Sequence, residues 1–258
     1  MSSETWKTSI TKIQPNEVRV RGYRLDELMG RISFGQAVYL VLKGELPPEN
    51  VGNMINAILV SSIDHGTTPP SVMAARTVAS TGAPLNAAVA SGVLAISRFH
   101  GGAIEDCMAA LLQTNEKHEL KQISIDQAAE EIVEEYRQTG KRISGFGHRL
   151  HTEDPRTQRL FALAQKWQIG ERFIAIARAI EAALEKQLGR KLPINVDGAI
   201  AAILCELEFP PQLANAFFMM ARVPGLVAHI FEEQTRERPM RVIDPKGAEY
   251  DGPESRSL

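Results

Sequence analysis

The chain has 258 residues, of which 44% are hydrophobic and 23% are charged, and its formal net charge at pH 7 is −2. This composition is typical of a folded protein with one large or two small domains, and the near-neutral charge excludes a general attraction for nucleic acid. The first residues lack the apolar core of a signal peptide, and no apolar run approaches the roughly 18 residues of a membrane span, so the sequence predicts a cytoplasmic protein that does not enter the membrane.

The N-terminal segment has the pattern of a short β-hairpin. Residues 8–22 alternate apolar and polar side chains on both sides of a Pro-Asn pair, and this alternation with a central turn signal predicts two antiparallel strands. Almost nothing after residue 22 alternates in this way. The rest of the chain is therefore expected to be helical.

About ten helices are predicted from apolar residues at three-to-four spacing and from prolines and glycines at the helix ends. Helices 69–80 and 84–99 are rich in Ala, Ser and Gly, which lets helices pack closely. The tail from residue 236 is polar and predicted to be extended, with a partly disordered end. The sequence thus predicts a mainly α architecture. The predicted helices are 34–44, 48–63, 69–80, 84–99, 102–113, 124–140, 155–167, 171–189, 196–208 and 211–234.

The two cysteines, Cys107 and Cys205, lie far apart, without a CxxC motif or a Cys/His pair at metal-ligand spacing. Both occur in apolar helical contexts. This pattern indicates buried free thiols in a reducing cytosol, and it predicts no metal site.

Four segments interrupt the helices, and each carries a His or an Asp beside glycine. They are IDHG at 63–66, FHGG at 99–102, GFGHR at 145–149 and NVDG at 195–198. Glycine lets a backbone approach a ligand closely, and helix N-termini offer N–H groups to carboxylates and phosphates. Four such breaks in one helical chain predict a shared cleft.

Each of these residues also has a structural interpretation. His65 and His100 could cap the C-termini of the preceding helices, and Asp197 could be the N-cap of the helix that follows it. His148 follows Phe-Gly rather than a helical run, so capping suits it less. A structural and a functional interpretation therefore both stay open for these four residues.

Other ionisable residues are predicted to be less involved. His118 and His151 are expected at the surface, and His229, inside an apolar helix, is expected to be a satisfied core histidine. Arg222 lies in a strongly apolar helix, so its charge needs either an anionic partner or a position at the solvent-exposed edge of the helix. Three arginines of the tail are typical of a solvated segment: Arg236, Arg238 and Arg241.

Together the histidines, Asp197 and the arginines are the residue types needed for proton transfer beside a polyanionic substrate. The sequence contains no Ser-His-Asp pattern, P-loop or HExxH motif, and GFG is not a dinucleotide-binding fingerprint.

These motifs, in their order and spacing from about residue 55 to 242, resemble those of the citrate synthase family. The resemblance rests on GFGHR followed by DPR, on NVDG opening an apolar helix, on FHGGA, on DH within IDHG, and on ARVPGLVAHIFEE followed by ERP. Most of the long N-terminal helical region of ordinary citrate synthases is absent. The opening looks instead like stand-alone citryl-CoA lyase and the C-terminal lyase module of ATP-citrate lyase.

The resemblance implies a mainly α, citrate-synthase-like fold with a large domain (1–103 and 209–258), a small domain (104–208) and a short N-terminal β-hairpin. The two domains would close over the substrate and exclude water. It also implies a dimer or a dimer of dimers, with helices 69–98 and the C-terminal arm at the interface.

The resemblance implies cleavage of citryl-CoA into acetyl-CoA and oxaloacetate. The coenzyme A thioester is the substrate, with no bound cofactor. A citrate-synthase-type condensing enzyme, a non-catalytic partner subunit of a citryl-CoA synthetase, and a lyase for another 3-hydroxyacyl-CoA are the alternatives. ATP-citrate lyases often carry FGG where this chain has FHGG, and the additional histidine is synthase-like. The direction of catalysis and the role of His100 therefore stay open.

By correspondence with the family, Asp197 would exchange the α-proton, His100 would donate to the enolate oxygen, and His148 would take the substrate hydroxyl proton. His65 would bind a substrate carboxylate. Candidate carboxylate clamps are Arg156, Arg222 and Arg238, the last supplied by the neighbouring subunit. Arg149 is a weaker candidate for substrate or CoA phosphates. The thioester arm would lie along Gly145, Phe146 and Gly147.

Overall fold

The computed structural model describes residues 6–148, 152–241, 247 and 249–257. Three short strands at the N-terminus are followed by eleven α-helices within these residues. The strands are β1 (Thr11–Gln14), β2 (Glu17–Val20) and β3 (Tyr23–Arg24). The helices are α1 (Leu25–Leu28), α2 (Phe34–Lys43), α3 (Glu49–Ser61), α4 (Pro70–Ser80), α5 (Leu85–Leu94), α6 (Ala103–Lys121), α7 (Ile125–Gln138), α8 (Pro155–Lys166), α9 (Arg172–Leu188), α10 (Val196–Glu206) and α11 (Ala214–Arg236), with a 3₁₀ turn, Pro211–Leu213, before α11.

The predicted hairpin is present as β1 and β2, which pair antiparallel with Thr11 opposite Val20. Asn16 makes its turn with a φ of 61°. A third strand, β3, adds to β2 and was not predicted, because two residues are too few to show alternation.

The helix ends follow the local signals in the sequence. Ser33 and Gln36 form a capping box at the start of α2, and Gly44 ends that helix in the left-handed conformation. Proline opens both α4 and α8 at the first turn, where its missing N–H leaves no hydrogen bond unmade. The prediction of a mainly α fold is confirmed.

Two predicted helix ends are wrong. The helix predicted to reach residue 99 ends at Leu94, because Ser97 and His100 exchange backbone hydrogen bonds of 2.8 Å and fold residues 97–100 into a tight turn. The helix predicted to end at 113 continues to Lys121. Its last two turns are polar and mostly exposed, so the apolar periodicity stops before the helix does.

The helices form two packing groups. In one group, α4 and α5 pack on α11, and α2 packs on α3; in the other, α6 packs on α7, α9 and α10, and α8 packs on α10. One large buried core includes residues of both groups, such as Met54 in α3 and Ile200 in α10. A second, smaller core lies between α4, α5 and α11 and includes Val72, Ala88 and Leu226. The division into domains 1–103 with 209–258 and 104–208 stays a prediction.

The segment Pro211–Arg236 is, among the described residues, long and apolar enough by composition to cross a membrane. It packs against α3, α4, α5 and α6 and buries Arg222 and Glu233 among them. This environment is that of a core helix in a folded domain.

Candidate active site

The four helix breaks converge around two arginines. The rings of His65 and His148 lie 6.3 Å apart at nearly a right angle. The charges of Arg156 and Arg222 act on both His65 and Asp197, and the charge of Arg222 also reaches His100. The four breaks therefore lie near one another in the fold, and that they line one shared cleft stays a prediction. Arg149 lies outside the described residues.

His65 lies in the turn between α3 and α4, and it does not cap α3. Ser62 is the C-cap of α3, and no hydrogen bond joins His65 to an α3 carbonyl in the described part of the chain. Partial removal from water lowers the pKa of His65, and the charges of Arg156 and Arg222 lower it further. The ring is therefore neutral near pH 7 and able to donate a hydrogen bond.

His100 follows the tight turn after α5, and it does not cap that helix, whose C-cap is Ala95. Its Nε2 lies 2.8 Å from the Oγ of Ser71, a fully buried residue of α4, and its ring packs edge-on to Phe218. Burial lowers the pKa of His100, and the charge of Arg222 adds to the effect. Ser71 thus orients one ring nitrogen and leaves Nδ1 for a ligand.

Asp197 is not the N-cap of α10, so the structural interpretation of this residue is wrong. The cap is Asn195, whose Oδ1 accepts hydrogen bonds from the backbone N–H groups of Asp197 and Gly198 at 3.0 and 3.2 Å. The Oδ1 of Asp197 is buried and finds no hydrogen-bond partner among the described residues. Burial raises the pKa of this carboxyl to about 6, against the opposing charges of Arg156 and Arg222.

Asp154 joins the two helices that carry Arg156 and Asp197. It caps α8 and accepts from the Arg156 backbone N–H, Nε and Nη2 at 3.0, 3.0 and 2.8 Å. The same carboxylate accepts the N–H of Val196, at the start of α10, at 3.1 Å. Although burial opposes it, this set of donors holds the pKa of Asp154 below its ordinary value. Arg156 is thus fixed along its Nε–Nη2 edge by Asp154.

The sequence predicted an anionic partner or a solvent-exposed edge for Arg222. The residue is 2% exposed, and it forms no ion pair with a carboxylate among the described residues. Its Nε donates to the carbonyl of Ser62 at 3.1 Å, and its guanidinium lies 4.7 Å from the ring centre of Phe218. Its Nη1 is buried without a partner in the described chain. A buried, incompletely paired guanidinium is a ready site for a carboxylate ligand.

The segment Gly145–Phe146–Gly147, here called the GFG strip, is fixed against the start of α10. Asn195 donates its backbone N–H to the carbonyl of Gly145 at 3.0 Å and its Nδ2 to the carbonyl of Gly147 at 2.9 Å. At Gly145 a Cβ would lie 2.6 Å from the Sγ of Cys107, so packing requires this glycine. At Gly147 the nearest atom to a Cβ would be 3.5 Å away, which is an ordinary contact, so packing does not require a glycine there, although its φ of 87° favours one. Phe146 pairs with Ile194 between them.

Some predictions for other residues need correction. His118 is half-buried, and its Nδ1 lies 2.6 Å from the Ile123 carbonyl oxygen. Arg241 is not simply solvated, because it pairs with Glu233. Arg238 is exposed, and in the described chain it forms no ion pair with another residue. His151 lies outside the described residues.

A cleft of about 560 Å³ opens between α3 and α8 beside this site. Apolar side chains of Val60, Leu160, Leu163 and Trp167 form much of its wall, and Arg156 lines it as well. Among the described residues, no group of three or more His, Cys, Asp or Glu residues is arranged to hold a metal ion.

Sequence reasoning missed the residues that orient the site. Ser71 is a small polar residue outside every motif, and Asn195 and Asp154 were noted only as parts of the NVDG and DPR motifs. Their contacts to His100, Gly147 and Val196 join positions 29, 48 and 42 residues apart, so no local pattern marks them.

The comparisons with known proteins agree on one family. The family model described as citrate synthase, C-terminal domain, matches residues 48–245. Among solved structures, the citryl-CoA lyase of Hydrogenobacter thermophilus is 46% identical with a TM-score of 0.88, and the match covers 98% of this chain and 97% of that one. An ATP citrate lyase of Methanosaeta concilii in complex with (3S)-citryl-CoA has a TM-score of 0.85 at 21% identity over 98% of this chain and 43% of that one, which is a likeness of fold.

Curated relatives include the citrate synthase of Haloferax volcanii, 29% identical over 208 residues, or 78% of this chain and 52% of that protein. The chain spans about half the length of the curated relatives it matches.

Proposed function

This chain belongs to the citrate synthase family, and we propose that within it the chain acts as a citryl-CoA lyase, which cleaves citryl-CoA into acetyl-CoA and oxaloacetate. The observation that carries the proposal is Asp197, a buried carboxyl with an unpaired oxygen and a pKa of about 6, lying within the electrostatic reach of Arg156 and Arg222. The identity of 46% over nearly the full length of a citryl-CoA lyase supports the same reaction.

The reaction begins at the hydroxyl group of citryl-CoA. His148 takes the hydroxyl proton while the bond between the hydroxyl carbon and the thioester α-carbon breaks. The hydroxyl carbon becomes the keto group of oxaloacetate, and the electron pair of the broken bond moves into the thioester to give the enolate of acetyl-CoA. A positioned base of this kind contributes about 10²- to 10⁴-fold to the rate.

His100 stabilises the enolate, and Asp197 completes the reaction. With Nε2 held by Ser71, the other ring nitrogen of His100 donates a hydrogen bond to the oxygen on which negative charge grows. Asp197 then gives its proton to the α-carbon. Its raised pKa suits this task, since a carboxyl with a pKa of about 6 is protonated in a fraction of the molecules near neutral pH and can act as an acid.

The two free carboxylates of the substrate are held by cations. Arg222 offers its buried Nη1, Arg156 offers Nη1 beside Asp154, and His65 donates from the adjacent turn. Guanidinium groups are suited to carboxylates because they form two parallel hydrogen bonds. The CoA arm lies along Phe146 and Gly147. Gly145 supports that strip from inside, and Arg149 is a further candidate contact.

The cleft between α3 and α8 is where the large domain (1–103 and 209–258) closes on the small domain (104–208). The wall formed by α3 and the wall formed by α8 belong to different domains in this division. Closure would narrow the cleft, bring Arg156 toward the substrate and exclude water from the thioester.

The active protein is a homodimer, because the chain carries an exposed apolar surface that a second copy would cover. Apart from Asn86 and Ser91, helix α5 consists of apolar residues and glycine, yet Leu85 is 47% and Leu94 is 81% exposed. Phe231, on the neighbouring α11, is 65% exposed. An apolar face of this kind is typical of an interface with a second copy. Dimerisation would also let Arg238 reach the partner's site. A cytoplasmic location agrees with the two buried, unbridged cysteines.

A citrate-synthase-type condensation is the second candidate. It is favoured by His100, because the family resemblance makes the FHGG form synthase-like. The same groups would act in reverse order, and hydrolysis of the thioester would follow.

One assay separates the two reactions. Purified protein is mixed with citryl-CoA, and oxaloacetate is followed through coupled malate dehydrogenase while free CoA thiol is measured in parallel. Oxaloacetate without thiol supports the lyase, and thiol with citrate supports the synthase. If neither product forms, both assignments fail. The His118→Leu variant, changed at a histidine outside the site, is a control that retains the measured activity.

A further inference from the structure

Helix α11 presents one face to the turn that carries His65. Three of its residues share this face because they are three and four positions apart: Arg222, Gly225 and His229. Arg222 Nε donates to the Ser62 carbonyl at 3.1 Å. At Gly225 a Cβ would collide with the Ile63 carbonyl oxygen, so only glycine permits this close approach. His229 Nε2 lies 2.9 Å from Asp64 Oδ1.

The Asp64 carboxylate links His229 to the turn itself. Its Oδ2 accepts the backbone N–H of Gly66 at 2.9 Å. Asp64 therefore bonds across His65, from the residue before it to the residue after it. Although burial opposes it, the Gly66 N–H and the contact with His229 keep the pKa of Asp64 below its ordinary value. Asp64 is therefore an anion, and Nε2 of His229 carries the proton that it donates.

We infer that His229 is a positioning residue, which acts through Asp64 to hold His65 in the orientation that faces His148. The inference deepens the proposed function, because it rests on the assignment of His65 to a substrate carboxylate. Without the anchor from α11, the turn between α3 and α4 would keep the Gly66 hydrogen bond but lose a side-chain contact to the rest of the fold at Asp64.

A role in simple packing does not account for His229. Its side chain is 12% exposed, and its Nδ1 is buried without a hydrogen-bond partner in the described chain. An unpaired buried nitrogen is unfavourable, and an apolar side chain of similar size would avoid that cost. The hydrogen bond from Nε2 is what an apolar residue cannot supply.

The test compares His229→Leu, which removes the donor, with His229→Gln, which keeps an N–H donor. For His229→Leu we expect kcat/KM for citryl-CoA to fall about tenfold, mainly through KM, while His229→Gln retains most of the activity. In a His65→Gln background the His229→Leu change is expected to have almost no further effect, because both changes act through one residue. Equal losses in both backgrounds would overturn the inference.

A second measurement does not depend on the reaction. The imidazole ¹H–¹⁵N signal of His65 in ligand-free protein, assigned through His65→Gln, is expected to shift in His229→Leu and to stay unchanged in His229→Gln. The matched control is His118→Leu, a half-buried histidine whose Nδ1 contacts the Ile123 carbonyl. An unchanged His65 signal in His229→Leu refutes positioning even if citryl-CoA proves not to be the substrate.

Discussion

Two buried carboxyl groups in this chain, Glu233 in α11 and Asp197 in α10, have opposite surroundings. Both oxygens of Glu233 are paired: Arg76 Nε approaches Oε2 at 2.6 Å, Arg241 Nε approaches Oε1 at 2.9 Å, and Arg241 Nη2 also contacts Oε2. Although burial opposes it, these guanidinium groups lower the pKa of Glu233. Asp197 has an oxygen with no partner among the described residues, and its pKa is raised to about 6.

The difference follows from what each group does for the fold. The Glu233 cluster fastens the segment after α11, where Met240 and Arg241 donate backbone hydrogen bonds to Ser80 on α4. Asp197 does not cap its helix, since Asn195 does, and its Oδ1 forms no hydrogen bond within the described chain. A fold that leaves a buried carboxyl unsatisfied accepts a loss of stability there, as active sites commonly do.

The largest expected effect is at Asp197. If this residue protonates the α-carbon, Asp197→Ala should lower kcat for citryl-CoA by at least about 10³-fold, while circular dichroism shows an intact fold. Near-normal turnover in this variant would remove Asp197 from the mechanism. The unpaired oxygen of Asp197, unlike the paired oxygens of Glu233, would then need an explanation other than catalysis.

The next effect concerns stability at the satisfied carboxyl. Glu233→Gln should lower the free energy of unfolding by about 3 kcal/mol, because two guanidinium groups then lose their shared anion. Urea denaturation measures the change. The matched control is Glu232→Gln: its ion pair with Arg236 is exposed, so the change should be below about 0.5 kcal/mol. Equal effects for the two variants would show that the Glu233 cluster contributes no more to the free energy of unfolding than an exposed ion pair does.

Asp197→Asn should raise stability in a pH-dependent way. The native carboxyl has a pKa of about 6 against an ordinary value of 3.8, so the native state binds this proton more tightly and loses stability as pH rises through 6. The amide has no such cost. We expect the variant to gain at most about 3 kcal/mol at pH 8 and almost nothing at pH 4. A gain that is independent of pH would contradict the raised pKa.

The smallest expected effect is at Arg241, which is 38% exposed at its side chain. Arg241→Ala leaves Arg76 on Glu233 and should lower the free energy of unfolding by about 1 kcal/mol. Urea denaturation at low and at high salt measures it. A loss as large as that of Glu233→Gln would mean that Arg76 alone cannot satisfy the carboxylate.

Local signals predicted most of the fold. The prolines at 70 and 155 and the glycine at 44 mark real helix ends, since their backbone preferences act at single residues. The end of α5 could not be predicted, because its tight turn is stabilised where His100 meets Ser71 on another helix. The extension of α6 to Lys121 carried no apolar pattern.

Six residues that the motifs singled out in widely separated segments lie near one another in the structure, and their roles stay predictions: His65, His100, His148, Arg156, Arg222 and Asp197. The residues that orient them could not be predicted from the sequence. Sequence could not show that packing requires a glycine at 145 but not at 147, because the atoms that a Cβ would meet, Cys107 Sγ and Leu192 Cδ2, come from distant segments. It also treated His229 as an ordinary core residue, since its contact with Asp64 spans 165 positions.

The Asp154 carboxylate has a consequence for motion. Because it binds the first turns of α8 and α10 together, a movement of α8 would carry Arg156 and Asp197 together. If α8 approaches α3 when substrate binds, as proposed, one distance across the cleft between these helices would report on the position of both side chains.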